Sequence, residues 1–155
     1  MDKVAVFIDN GYFKKIQEHL KTRVNYEKFS NEIVGPGFER FRTYVYDCPP
    51  YQSDPPTKEQ SIMKSQFDSF KYNISRLPRF EFKTGRLQLI RDSKGNVIKN
   101  EKGTPEFRQK GVDMALGIDT AKLSSKGTVQ KIIIVAGDSD FVPAIIAAKS
   151  AVRTA

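Results

Sequence analysis

Two stretches of this chain are apolar without a break, and each stops on acids. Residues 4–8 (VAVFI) run into Asp9, Asn10 and Gly11; residues 132–136 (IIIVA) run into Gly137, Asp138, Ser139 and Asp140. Short apolar runs rich in β-branched residues predict strands buried on both faces, as in the middle of a parallel sheet. Helix-compatible residues follow each run, with Pro143 in the first turn of the second helix. Residues 38–46 (FERFRTYVY) and 80–91 (FEFKTGRLQLIR) instead alternate apolar with polar positions. That period predicts two further strands, the first of them nearer the edge of the sheet. Asp92-Ser93-Lys94-Gly95 is a turn, after which the polar residues 96–110 either return as a hairpin arm or stay mobile.

Between these strands the period changes to that of helices. Phe13, Ile16 and Leu20 mark one over 12–20, residues 26–34 form a second that Gly35-Pro36-Gly37 ends, and residues 111–123 form another. Thr57 opens a long helix with a capping box completed by Gln60, and its stripe of Met63, Phe67, Phe70, Ile74 and Leu77 reads as core packing with no other role. The proline-rich residues 48–56 are a stiff connection. Strands alternating with helices predict an α/β fold around a mainly parallel sheet, with a basic β-hairpin arm. No repeat or linker divides residues 1–155, so a single domain is expected. Ligands of such sheets bind at the carboxyl ends of the strands, where both acid clusters fall.

Charge narrows the field. The net charge is +8 with a pI near 9.6, which favours polyanions, nucleic acid first. Lys83, Arg86, Arg91, Arg108 and Lys110 lie on or beside the arm and are the candidates to hold phosphates. No apolar run approaches the roughly 20 residues that span a bilayer, and the N-terminus does not read as a signal peptide. A lone cysteine, Cys48, forms no internal disulfide, so a cytoplasmic setting is expected.

Four carboxylates have a reason to converge: Asp9, Asp138 and Asp140 at strand ends, and Asp113 in the first turn of the 111–123 helix. Crowded acids repel unless a proton or a cation sits among them, and hard oxygen ligands suit Mg²⁺ or Mn²⁺ rather than zinc. Asp113 alone would read as a helix cap. Asp119, six residues on, lies well around the helix and is not expected at the same point. One histidine, His19, and one cysteine leave no histidine pair, no zinc site and no nucleophilic triad, and neither GxGxxG nor GxxxxGK[ST] occurs. Metal-assisted hydrolysis of a phosphodiester remains, with one aspartate also able to take a proton from water. An aspartate-nucleophile phosphatase is disfavoured, because the position two residues after Asp9 is Gly11.

FIDNGY (7–12), KGVDMALGID (110–119) and AGDSDFVP (136–143) together resemble the NYN domain family, a branch of the PIN-like metal-dependent ribonucleases, and are similar to its bacterial LabA-like members. The resemblance implies a Rossmann-like three-layer α/β/α sandwich in which the first and fourth strands are neighbours. It implies that Asp9, Asp113, Asp138 and Asp140 bind Mg²⁺ or Mn²⁺, with Asn10 and Ser139 as supporting polar groups, and that the substrate is RNA, single-stranded by expectation. Many relatives place Gly before Asn after the first aspartate, whereas here Asn10 precedes Gly11. Relatives also continue into a fifth strand beyond the helix over 141–152. Either a final C-terminal strand is absent, or a partner covers the 131–136 strand, as a homodimer would. A second reading of the same resemblance is a non-catalytic RNA-binding or regulatory module.

Overall fold

In the computed structural model the described backbone covers residues 1–103, 105–110 and 112–137, with the side chains of 108–110 and 113 outside the description. In chain order the elements are β1 (Asp2–Asp9), α1 (Asn10–His19), α2 (Tyr26–Val34), β2 (Phe38–Asp47), α3 (Lys58–Ser75), β3 (Phe80–Thr84), β4 (Arg86–Leu89), β5 (Phe107–Lys110), α4 (Val112–Lys126) and β6 (Lys131–Val135). Four strands form one sheet in the order β3-β2-β1-β6, every pair parallel. The two apolar runs are therefore neighbours, with Ile8 opposite Val135. Residues 4–8 of β1 are fully buried, as a strand covered on both faces requires.

Alternation along β1 and β2 divides the core in two. Val4, Val6, Ile8 and Val45 meet Phe13, Tyr26, Val34 and Ile74 from α1, α2 and α3 on one face. Ala5, Phe7, Tyr44 and Tyr46 meet Val112 and Leu116 of α4 on the other. Helices on both faces of a parallel sheet make the expected three layers.

Three expectations need correction. β2 is interior rather than near the edge, and residues 43–47 are buried. Its polar pattern belongs to the first half, where a register shift between Val4 and Ala5 of β1 interrupts the ladder. There the buried Arg40 donates to Thr43 Oγ1, Asn31 Oδ1 and the carbonyls of Pro78 and Arg79. Residues 80–91 are not one strand but break at Gly85, whose N–H donates to the Asp47 carbonyl. β3 joins the main sheet, while β4 pairs antiparallel with β5. Residues 96–110 return as an arm, with Arg91 opposite Val97 and Lys99 opposite Pro105, around a turn in which Asp92 Oδ1 accepts the N–H groups of Lys94 and Asn96.

The α3 stripe is core only in its last turns. Thr57 and Gln60 form the capping box, and Ile74 is buried, but Phe67 is half-buried and Met63 is 54% exposed. Phe67 and Phe70 pack edge-on against Phe82 of β3, whereas Ile62 and Met63 of the earlier turns are exposed. Among the described residues, β6 lies at an end of the sheet with its apolar residues half-buried.

Candidate active site

Asp9 is the last residue of β1, and the register puts it opposite Tyr46, which is in turn opposite Lys83. Residues in one row of a parallel sheet share a face, so these three belong with Phe7 and Tyr44 on the α4 side. Asp9 caps α1: its Oδ1 accepts the Tyr12 N–H at 3.4 Å, which leaves the carboxylate at the positive end of that helix. The rest of the row is tied by a carboxylate from α4. Asp119 Oδ2 accepts the Tyr46 hydroxyl at 2.6 Å and Lys83 Nζ at 2.7 Å. Burial, and then the bond to Asp119 and its negative charge, push the Tyr46 phenol well above its ordinary range, so it stays a donor. Asp119 thus belongs with the Asp9–Tyr46–Lys83 row; the backbone of Asp113 lies in the first turn of α4, beside the buried Val112.

On the opposite face the rim is organised by a buried amide. Asn10, 2% exposed, donates from Nδ2 to Asp47 Oδ2 at 2.7 Å and accepts the Tyr26 hydroxyl on Oδ1 at 2.5 Å. Gln17 Nε2 donates to the same hydroxyl at 3.0 Å, and Gln17 Oε1 accepts the Val24 N–H at 3.0 Å. Asp47 Oδ1 accepts the Cys48 N–H at 2.8 Å. The bond order is self-consistent only if Tyr26 is protonated. Burial pushes its phenol up to about 12, with the Gln17 bond opposing the shift and the Asp47 charge adding to it.

This chain of bonds links the end of β2, the start of α1 and the start of α2. Sequence reasoning missed Asp47, Tyr26 and Gln17. The one available signal was that Asp47, like Asp9, is an acid directly ending a strand.

The first and last sequence motifs also touch. A Cβ added at Gly137 would collide with the Tyr12 ring, so the backbone entering the GDSD segment lies directly against the residue that closes FIDNGY. Asp138, Ser139 and Asp140 themselves lie outside the described residues, and so does the side chain of Asp113.

The chain matches the NYN domain family over residues 3–153. It belongs to that family. NYN domains are part of the PIN-like nuclease superfamily. Among solved structures, a protein of unknown function from Vibrio parahaemolyticus is similar, with a TM-score of 0.55 at 19% identity over 96% of this chain and 75% of that one. At that identity the likeness concerns the fold. No curated protein matches.

Within the NYN fold the five candidate cations are spread. Lys83 is on β3, paired with Asp119 at 2.7 Å and Glu81 at 3.9 Å. Arg86 and Lys110 are register partners in the β4–β5 ribbon, and Gln88 pairs with Arg108, which puts positions 86, 108 and 110 on one face. Leu87 of the other face packs with the α4-side core, and the Phe107 ring meets Tyr51 at a tilt, with centroids 4.5 Å apart. Arg91 holds the turn, donating to the Gly95 carbonyl.

The donors near the NYN rim suit a hard divalent cation. His19 is exposed in the last turn of α1, far from the strand ends, and Cys48 is buried with the α4-side core, so the rim offers carboxylate oxygen rather than imidazole or thiolate. Among the described residues no three ligating side chains come together.

Proposed function

We propose that this NYN protein is a Mg²⁺- or Mn²⁺-dependent ribonuclease acting on single-stranded RNA. The observation that carries the reading is the parallel pairing of β1 with β6. Asp9 is one residue beyond Ile8, and in the sequence Asp138 and Asp140 follow Val135 by three and five residues. In this reading Asp9, Asp113, Asp138 and Asp140 hold the cation, and Ser139 supports them. A bound divalent cation would activate water and stabilise charge on the phosphate oxygens.

The chain's own residues supply the frame. Asp9 is held at the rim as the cap of α1, and Asn10 fixes the first turn of that helix through Asp47 and Tyr26. The ribbon face with Arg86, Arg108 and Lys110 is the part that would follow the phosphate backbone.

The test is cleavage of a labelled single-stranded RNA with Mn²⁺, with EDTA, and by Asp9→Asn and Asp138→Asn. Cutting that needs the metal and is lost in both variants supports the reading. RNA that is bound in a salt-sensitive way but never cut would make the protein a binding module. A covalent phosphate trapped on Asp9 would make it a phosphatase.

A further inference from the structure

The amide of Asn10 and the carboxylate of Asp47 form the inner end of a cavity of about 790 Å³ on the face of the sheet opposite α4. That volume falls within the about 300–1,000 Å³ usual for small-ligand sites. One wall is apolar and comes from α3: Met63, Phe67 and Phe70. Phe67 is half-buried, and its ring is held edge-to-face by Phe82 with centroids 5.8 Å apart. The facing wall is α1 and the loop after it, where Lys14, Lys21 and Arg23 are all exposed. Against these three cations stand Glu18 on the same wall and Asp47, whose oxygens are already engaged by Asn10 and the Cys48 N–H.

The backbone supports the placement of the cations. Lys21 has a φ of 51°, a left-handed conformation usually left to glycine. It closes α1 with Lys21 N–H donating to the Glu18 carbonyl and Thr22 N–H to the Gln17 carbonyl. The strained turn brings Lys21 and Arg23 to the mouth of the cavity.

We propose that this cavity is a binding subsite for an unpaired nucleotide of the RNA, resting on the ribonuclease reading above. An apolar, aromatic wall facing a cationic one is the arrangement that holds single strands: the base stacks against Phe67 and Met63 while Lys14, Lys21 and Arg23 take the flanking phosphates. Asn10, at the inner end, directly follows Asp9 in the chain, so the cavity and the end of β1 share the start of α1. Stacking on this wall needs a base with a free face, so the subsite favours single strands over duplex.

The experiment measures fluorescence anisotropy of a labelled ten-nucleotide oligouridine on the full chain in EDTA, which prevents cutting. Phe67→Ala is expected to weaken binding about tenfold, as loss of one stacked base does. Met63→Asp, at an exposed position that does not challenge folding, is expected to weaken it several-fold. The double variant Lys14→Ala/Arg23→Ala is expected to flatten the salt dependence by about 1.4 in log–log slope, or about 0.7 for each phosphate no longer neutralised. A 4-thiouridine oligonucleotide should crosslink to peptides containing residues 63–70, and an RNA duplex of equal length should bind more weakly.

Oligouridine bound equally by wild type, Met63→Asp and the double variant, with crosslinks only on the β4–β5 ribbon, overturns the subsite and leaves the ribonuclease reading standing. No binding of oligouridine by the wild type overturns the subsite, and the Mn²⁺ cleavage assay then decides the ribonuclease reading separately.

Discussion

The two faces of the sheet use the same strand ends for different purposes. On the α4 face, β1 and β2 finish in Asp9 and Tyr46, and Tyr46 is tied through Asp119 to Lys83 in a half-exposed array of charge. On the other face the neighbouring positions, Asn10 and Asp47, are buried and joined in a mostly neutral chain with Tyr26 and Gln17. Asp9 and Asn10 are consecutive, yet one lies at the open rim while the other is 2% exposed. The contrast teaches that Asp9 is positioned from behind: the buried amide fixes the start of α1, and the start of α1 fixes Asp9.

The sharpest way to break this comparison is to remove charge from one face alone. Asp9→Asn keeps a good helix cap, so stability should be unchanged while cleavage falls by about 10²–10³-fold, the usual scale for losing one electrostatic group in a site. Thermal unfolding run beside the cleavage assay checks both halves. Unchanged cutting by this variant would place the chemistry elsewhere.

On the buried face the expected effect is on stability. The folded-state pKa of Tyr26 is raised from about 10 to about 12, so its contribution is complete below pH 10 and is lost as pH rises through 12. Over that window the wild type should lose about 2–3 kcal/mol through this group. Urea unfolding of the wild type and Tyr26→Phe at pH 9 and pH 11.5 measures it. Tyr46 and Tyr44, also raised mainly by burial, will add to the alkaline loss in both proteins, so the informative quantity is the difference. Equal slopes would mean that Tyr26 is not the protonated centre of the chain.

Asn10→Ala should follow, with a loss of about 1–3 kcal/mol from the buried donors and acceptors left without partners. Cleavage should fall further than stability does if α1 truly positions Asp9. A smaller loss, about 1 kcal/mol, is expected for Gly137→Ala, because the added methyl must displace the half-buried Tyr12 ring, which has room to turn. The smallest effect is Lys21→Gly. Relief of the left-handed turn should stabilise the fold by about 0.5–1 kcal/mol while oligouridine binding weakens slightly through the lost charge.

Much of the architecture was legible because local pattern and global fold agree. Unbroken apolar runs in residues 4–8 and 132–136 require burial on two faces, and a parallel sheet is the arrangement that provides it. The capping box at Thr57 and Gln60 is equally local. Where pattern and fold diverge, a segment serves two neighbourhoods. β2 looks like an edge strand because Arg40 and Arg42 interrupt its first half, and only the tertiary bonds of Arg40 to Asn31, Pro78 and Arg79 remove that charge from water. The apolar stripe of α3 is continuous in sequence, but only its later residues, Phe70, Ile74 and Leu77, reach the core, while Met63 and Phe67 line a cavity.

Sequence alone determined that the two unbroken apolar runs stop on carboxylates, since a charged residue ends such a run wherever the fold places it; it passed over Asp47, which ends the patterned strand β2. It also determined the family, through three short motifs spread over nearly the whole chain. Tertiary structure decided what those ends are attached to. Asp47, Tyr26 and Gln17 carry no motif, and Asp119 lies around the helix from Asp113, so their roles came into being only when strands far apart in the chain paired side by side. Hydrogen-bond partners 16, 37 and 73 residues apart are invisible to periodicity, because periodicity reports only which face of an element is buried and never what meets it there.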